Sequence, residues 1–200
     1  MAEDILNREI VDRLLKIPGR CRGLAIRDNL EYVLLKQGKV GLEKLNQVLA
    51  ESQSPFRTSD IKPMEFYPVG METICLLAMK KAFGYSDQIF EEVGAANARQ
   101  SLGVRLFAKY FVSLERVAKE APKMWRNYYE IGEISSIEIN KPETKVLVRV
   151  EGFNIHPLHC RVLKGYFTAI VKMVVGASAT GKEISCPFNG GKAHEFLLTW

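Results

Sequence analysis

The feature that most constrains the fold is a change of hydrophobic periodicity near Gly132. Before this residue, apolar side chains such as Ile10 and Leu14 recur at helical spacing. After it, residues 134–139 and 145–150 alternate in polarity on either side of a turn-forming stretch, which predicts a β-hairpin. This change from helical to strand periodicity along the chain predicts an α+β domain.

The last third of the chain continues with a helix and a second hairpin. Pro157 begins an apolar pattern that extends to residue 175, as expected for one long helix. Residues 183–188 and 193–200 are expected to form two strands around Asn189-Gly190-Gly191. The order hairpin, helix, hairpin predicts a four-stranded antiparallel sheet packed on helices, with N-terminal helices preceding it.

Helical patterns fill most of the chain before the first hairpin. Gly38 separates two of them, and residues 64–68 form an extended connection to an almost wholly apolar helix. We expect a single domain over residues 1–200, with an N-terminal helical segment at 1–55 and a ligand-binding α+β core at 62–200. The predicted helices are residues 5–15, 24–35, 42–49, 71–83, 86–98 and 101–119, with a further short helix starting at Pro122.

Composition limits the classes of function. Of the 200 residues, 47% are hydrophobic and 26% are charged, so apolar side chains suffice for a folded core. The net charge of +5 tolerates an anionic partner without requiring one, and we expect no direct nucleic-acid binding. The richest apolar run, residues 167–177, contains Lys172 and is shorter than the roughly 20 residues of a membrane span. Because the acidic N-terminus also lacks a signal core, we expect a cytoplasmic protein.

The sequence contains no recognisable catalytic motif. It has no glycine-rich dinucleotide-binding motif, no phosphate-binding loop and no Gly-x-Ser-x-Gly nucleophile elbow. We therefore interpret the protein as a binding module, although the sequence does not exclude an enzyme.

Residue types that bind metals cluster in the last quarter of the chain. Pro157 at the first helical position would place Cys160 in the first turn, where the helix dipole favours a thiolate. A three-residue loop in the second hairpin would place Cys186 opposite His194, close enough to share one metal ion. A Cys–His catalytic pair is the alternative, but no oxyanion-binding group accompanies it. The cluster comprises all three histidines and two of the four cysteines: His156, His159, His194, Cys160 and Cys186.

The remaining cysteines and the aromatic residues have simpler interpretations. Cys75 lies in an apolar helical segment and is expected in the core. Cys21, between two arginines, is expected to be at the surface or half-buried, with a reactive thiol as the alternative. Five aromatic residues flank the boundary between helices and sheet, where they are candidates for lining an apolar ligand pocket, with core packing as the alternative. They are Trp125, Tyr128, Tyr129, Phe153 and Phe167.

The C-terminal pattern also carries a family resemblance. Twenty-two residues separate Cys160 from Glu183, which begins a Glu-x-x-Cys motif, and seven residues separate Cys186 from His194. With this pattern, the chain from about Pro68 onward resembles the 4-vinyl-reductase domains, which share a ligand-binding fold with the haem nitric-oxide-binding domains and the TRAPP subunits. The stretch from Ile17-Pro18-Gly19 to Leu49, with Gly38 and Gly41, is similar to the front half of an uncharacterised myxobacterial family.

The resemblance implies a structural zinc site. Its matching positions are Cys160, Glu183 and Cys186, while His194 replaces the last cysteine of the family. Four protein ligands would fill the tetrahedral shell and leave a net charge of about −1. Because Glu183 and Cys186 are three residues apart, shared ligation needs a bulge between them. In a regular strand, His156 or His159 would take the place of Glu183.

The resemblance further implies a function. It implies a sensor or carrier of a small hydrophobic or aromatic molecule, of bacterial or archaeal origin, that forms a homodimer. A TRAPP-like dimeric scaffold and an accessory factor or reductase in tetrapyrrole metabolism are the alternatives. Because no histidine precedes His156, the proximal histidine of the haem sensors has no counterpart, and haem binding is disfavoured.

Overall fold

The computed structural model describes residues 5–101 and 113–200. Their contacts divide the chain into two compact units. The first unit extends from the N-terminus to Asp87 and includes the short segment Tyr128–Glu130. The second unit comprises Gln88–Asn127 and Ile131–Trp200.

The first unit is helical with a small sheet. Helix α3 (Gly70–Phe83) is its centre, because 11 of its 14 residues are buried, as the apolar pattern predicts. Cys75 is among them, which confirms its place in the core. The other elements are α1 (Arg8–Leu15), β1 (Arg20–Arg22), α2 (Gly23–Glu51), a 3₁₀ turn (Thr58–Asp60) and β2 (Phe66–Pro68), which pairs antiparallel with β1.

Gly38 divides helix α2 as its position in the sequence predicts. Its backbone has φ 67° and ψ −167°, a conformation outside the helical region that glycine adopts without a steric penalty. The helical stretches on its two sides are the two segments predicted from the sequence.

The second unit holds the four-stranded antiparallel sheet. The strand order is β3-β4-β6-β5, so the two hairpins lie side by side and β3 and β5 form the edges. This arrangement confirms the predicted α+β class. The strands are β3 (Glu133–Asn140), β4 (Lys145–Glu151), β5 (Thr180–Ser185) and β6 (His194–Thr199). The helices are α4 (Asp87–Gln100), α5 (Leu114–Tyr128) and α6 (Pro157–Val175), of which only the end residues Asp87 and Tyr128 are assigned to the first unit.

Helix α6 packs on the sheet and on α4. Its buried side chains include Phe167, which lies against Phe196 of β6 with ring centroids 5.4 Å apart. Gly94 of α4 and Gly165 of α6 let the two helix backbones approach, since a Cβ atom at either position would overlap the facing backbone. Close backbone contact of this kind holds α4 directly on α6.

Three details differ from the sequence-based expectation. Pro122 lies inside α5 rather than at the start of a short helix. The first strand of the second hairpin lies three residues earlier than predicted, because β5 extends from Thr180 to Ser185 and a 3₁₀ turn (Pro187–Asn189) follows. Most of the helix predicted at residues 101–119 falls at 102–112, outside the described residues.

Within residues 5–101 and 113–200, none of the helices combines the length and hydrophobicity needed to cross a membrane.

Candidate metal centre

Four side chains with metal-ligating atoms meet in the second unit. Cys160 lies in the first turn of α6, and Glu183 lies near the end of β5. Cys186 directly follows β5, and His194 begins β6. Each side chain offers one ligand atom, and all four atoms lie within 4.8 Å of one another. The structure thus brings together the four residues that the sequence pattern singled out.

Three of the six distances between these atoms are close to the edges of a coordination tetrahedron. Cys160 Sγ lies 3.4 Å from Cys186 Sγ and 3.6 Å from His194 Nδ1. His194 Nδ1 lies 3.5 Å from Glu183 Oε1. Metal bonds of about 2.3 Å to sulfur and about 2.0–2.1 Å to nitrogen or oxygen would give edges of about 3.8, 3.6 and 3.4 Å. These three distances differ from the ideal edges by about 0.4 Å or less, and no other distance in the group exceeds 4.8 Å.

The start of helix α6 positions Cys160. His156 has an extended backbone, and its Nδ1 accepts a hydrogen bond from Leu158 N at 3.1 Å, which caps the helix. Pro157 occupies the first helical position, where the missing N–H costs no hydrogen bond. The predicted beginning of this helix is confirmed, and Cys160 follows in its first turn.

A β-bulge brings Glu183 and Cys186 to the same side of the hairpin. Glu183 pairs with Phe196, but Ser185 pairs with Glu195, so the register shifts by one residue between them. In a regular strand, residues three apart face opposite sides of the sheet, and the extra residue at Ile184 removes this conflict. Ser185 and Glu195 form the last pair of this ladder, and Cys186 and His194 are the next residues on the two chains.

A backbone carbonyl orients the ring of His194. Its Nε2 lies 3.1 Å from the carbonyl oxygen of Phe153, which can only accept a hydrogen bond. With a hydrogen on Nε2, His194 can bind a metal ion through Nδ1, which lies near Cys160 and Glu183. Histidines that bind metals are commonly oriented by such a hydrogen bond from the second ring nitrogen. His194 is fully buried, so this geometry is held by the surrounding core.

The electrostatics of the cluster favour a cation. Burial raises the pKa of the Cys160 thiol, and a hydrogen bond that this thiol donates to Cys186 and the charge of Glu183 raise it further. Burial alone would raise the pKa of Glu183, but hydrogen bonds from His194, Cys160 and Cys186 outweigh it and lower that pKa. The cluster thus holds a carboxylate beside two buried sulfur atoms, and a divalent cation would displace the thiol protons.

The other two histidines have different surroundings. His156 serves as the cap of α6 through its Nδ1. His159 is buried with its ring edge against the ring of Phe153, at a centroid distance of 5.2 Å. Burial lowers the pKa of His159 to about 3, with smaller contributions from His156 and His194, so its ring is neutral. Neither belongs to the group of four ligand atoms.

The five aromatic residues proposed as pocket lining fall in two places. Trp125, Phe153 and Phe167 are buried in the second unit, where the rings of Trp125 and Phe153 meet edge to face at 4.9 Å. Trp125 Nε1 also donates to the carbonyl oxygen of Gly132 at 3.0 Å. Tyr128 and Tyr129 belong to the first unit.

The sequence did not reveal a buried polar group in the first unit. Glu72 lies in the first turn of α3 and is buried, and its Oε1 accepts a hydrogen bond from Tyr129 Oη at 3.0 Å. The only indication in the sequence is an acidic residue within an otherwise apolar helix.

Cys21 is also fully buried, so the expectation that it is at the surface or half-buried is wrong. Burial and the nearby charge of Glu72 raise the pKa of the Cys21 thiol, which argues against a reactive thiolate at this position.

Comparisons with known proteins identify the fold. No protein-family model and no curated protein sequence matches the chain. An H-NOX protein from S. oneidensis in the Fe(II)NO ligation state is similar in structure, with a TM-score of 0.66 and 11% identity over 88% of this chain and 97% of the other. The unliganded Fe(II) H-NOX protein from K. algicida has a TM-score of 0.61 and 15% identity, covering 89% of this chain and 95% of that one.

A third structure, described as probing heme distortion in the H-NOX family, has a TM-score of 0.63 and 11% identity over 90% of this chain and 94% of the other. At such identities the similarity establishes the fold. It confirms the expected fold, which is that of the haem nitric-oxide-binding domains, while the closer resemblance to 4-vinyl-reductase domains stays a prediction.

These neighbours contradict our cofactor prediction, which disfavoured haem and assigned zinc. One neighbour is described by its iron–nitric oxide ligation and another by haem distortion. The prediction relied on the lack of a histidine before His156, which concerns a single iron ligand. A fold can be retained at 11% identity while one such residue changes, so the missing histidine was not a sufficient reason to exclude haem.

Proposed function

We propose that this chain is a small-molecule-binding sensor module built on the fold of the H-NOX domains. The observation that supports it is structural similarity over 88–90% of the chain to H-NOX proteins, two of which are described with iron ligation or haem. Haem is therefore the first cofactor to test. A binding function also agrees with the absence of catalytic motifs from the sequence.

The histidines of this chain do not fit the role of a haem axial ligand, because their rings are engaged in other contacts. His194 directs Nδ1 toward Cys160 and is bound through Nε2 to the carbonyl of Phe153. His156 Nδ1 caps helix α6, and the ring of His159 is buried against Phe153. The sequence contains no fourth histidine. Haem bound by this chain would use another iron ligand or packing alone.

A titration with hemin tests the haem part of the proposal. We expect a saturable Soret band at one haem per chain, with the same amplitude in His194→Ala, because His194 is engaged elsewhere. Absence of saturable binding would remove haem from the proposal. Loss of the Soret band in His194→Ala would instead show that His194 is the iron ligand.

We also propose that Cys160, Glu183, Cys186 and His194 hold one divalent metal ion. The four ligand atoms lie within 4.8 Å of one another, and two thiolates with an imidazole suit ions of soft or borderline character. A complete protein shell leaves no open position for a substrate, so the role would be structural. The ion would join the first turn of α6 to the β5–β6 hairpin, and the filled site would carry a charge of about −1.

Metal analysis of variants tests this site. Protein purified without added metal is expected to contain about one metal ion per chain, measured by plasma mass spectrometry. Cys186→Ser and His194→Ala should lose the metal and unfold at lower temperature. His159→Gln is the matched control, because it changes a buried histidine beside Cys160 that is not a ligand, so it should keep the metal. Equal metal content in all variants would contradict the assignment.

Cobalt substitution provides a second measurement that does not depend on stability. If both thiolates bind, Co²⁺ added to metal-free protein should produce sulfur-to-cobalt charge-transfer absorption, and Cys186→Ser should weaken it. An unchanged spectrum in Cys186→Ser would show that Cys186 is not a ligand.

A further inference from the structure

A groove in the second unit lies between helix α5 and the edge strand β3. Its volume is about 420 Å³, within the range of roughly 300–1,000 Å³ typical of small-molecule sites. It is separate from the metal centre, because its lining includes none of the four candidate ligands. The lining residues are Glu115, Ala118, Lys119, Pro122, Ile134, Ser135, Ser136, Ile137 and Ile139.

The floor and one wall of the groove are apolar. Ile134, Ile137 and Ile139 pair with Val150, Val148 and Val146 of β4, all of which are buried, so the three isoleucines share the inner face of the sheet. The bulge between Ile134 and Ser136 keeps them on one face despite their uneven spacing. Ala118 and Pro122 of α5 form the opposite wall.

The rim of the groove has a net positive charge. Glu115 lies 2.5 Å from Lys141 Nζ, and this contact lowers the pKa of Glu115 to about 2, so the carboxylate is ionised and paired. Lys119 stands one turn further along α5 and lines the groove. Two lysines against one glutamate leave a charge of +1 at the rim.

We propose that this groove binds an anionic amphiphile, a single-chain carboxylic acid whose alkyl chain lies on the isoleucines and whose carboxylate faces Lys119. The inference rests on the proposed function as a small-molecule-binding module and names the class of ligand. A β-strand from a second copy is the less suitable occupant, because the edge of β3 carries a bulge and the exposed Glu133 and Glu138.

Calorimetric titration with matched ten-carbon probes tests the proposal. Decanoate is expected to bind one site per chain more tightly than 1-decanol, and decylamine is expected to bind most weakly. Octanoate should bind about fifteenfold more weakly than decanoate, at about fourfold for each methylene group removed from the apolar lining. Equal affinity for the three ten-carbon probes, or no saturable binding of decanoate, would overturn the proposal.

Three variants locate the site. Ala118→Trp should abolish decanoate binding by filling the groove. Lys119→Gln should reduce decanoate affinity to that of 1-decanol and leave 1-decanol unaffected, which remains a test if Ala118→Trp does not fold. Lys123→Gln, an exposed lysine on the same helix outside the lining, is the control and should bind decanoate normally. Normal decanoate binding by Lys119→Gln would overturn the assignment of the carboxylate.

Two further measurements on the same samples separate this inference from the proposed function. Haem binding without decanoate binding would overturn the groove assignment alone, whereas loss of both would contradict the ligand-binding function as well. Sedimentation gives the oligomeric state. A dimer of the unmodified protein that Ala118→Trp dissociates would show that the groove is an interface and would overturn the proposal.

Discussion

Glu72 has an unusual environment for an acidic residue. It is 2% exposed, and its Oε1 accepts a hydrogen bond from Tyr129. Burial raises the pKa of Glu72 to about 8, and the neighbouring Asp28 contributes in the same direction. The carboxyl group is therefore protonated in the folded protein at neutral pH.

This protonation makes the stability of the protein depend on pH. The folded state retains a proton that the unfolded state, with a pKa near 4.5, releases, so the free energy of unfolding should fall as the pH rises from about 4.5 to about 8. Glu72→Gln resembles the protonated acid and should flatten this dependence and stabilise the protein above about pH 8. Urea unfolding at about pH 5, 7 and 9 measures the effect. The exposed Glu43→Gln is the control, and an unchanged slope in Glu72→Gln would assign the dependence to another group.

Single residues differ in how well the sequence predicts their roles. Cys160, Cys186 and His194 could be identified because their residue types are metal ligands and their spacing fits one helix start and one hairpin. Glu183 needed the family resemblance, since its participation requires the bulge at Ile184. Glu72 could not be predicted, because its partner Tyr129 is 57 residues away in the chain.

At the level of elements, helices α4 and α6 meet through glycine. A Cβ atom on Gly94 would overlap the carbonyl group of Val162, and one on Gly165 would overlap that of Glu91. Each helix thus presents a glycine to the backbone of the other. Larger side chains at these positions would separate the two helices.

Gly165→Ala should destabilise the protein despite the better helix propensity of alanine. Propensity alone would favour alanine by about 1 kcal/mol, but overlap with a backbone group that cannot move aside costs about 1–3 kcal/mol or more. We expect a lower midpoint of thermal unfolding. Gln88→Ala on the exposed face of α4 is the control and should change stability by less than about 0.5 kcal/mol. A more stable Gly165→Ala would contradict the close contact.

Long periodic elements were predictable and short ones were not. Helices α3 and α6 and the first hairpin follow from periodicity, because each buries one or more complete faces. Strands β1 and β2 have three residues each and lie more than forty residues apart, too short for periodicity to show. Pro122 misled the prediction because proline commonly begins helices, whereas here it lies within α5.

For the whole molecule, the assignment of Tyr128–Glu130 to the first unit is informative. Arg20 donates two hydrogen bonds of 2.7 Å to the carboxylate of Glu130, and Glu130 N donates to Arg20 O at 2.9 Å. Tyr129 adds a bridge to Cys21 and the hydrogen bond to Glu72. The first unit is therefore built from two distant parts of the sequence.

A fragment ending at Asp87 should consequently fold poorly. It would lack Tyr129 and Glu130, so the buried Glu72 would lose its hydrogen bond from Tyr129 and β1 would lose its ion pair. We expect poor dispersion of amide signals in its NMR spectrum, compared with the full chain. A well-dispersed spectrum would show that Tyr128–Glu130 is dispensable for the first unit.

The cofactor shows where sequence reasoning fails at this scale. A fold shared over about nine-tenths of the chain at 11–15% identity depends on the pattern of buried residues rather than on particular ligands. The presence or absence of one histidine therefore says little about membership of the fold.

The proximity of Cys160 and Cys186 makes the proposed metal site sensitive to oxidation when it holds no metal ion. Their sulfur atoms lie 3.4 Å apart, so an approach of about 1.4 Å would suffice for a disulfide bond. Metal-free protein exposed to air should cross-link these residues, whereas loaded protein should resist oxidation. Intact-mass measurement with thiol alkylation detects the difference, and Cys186→Ser provides the control. Metal occupancy would then decide whether this end of the molecule responds to the redox state of its surroundings.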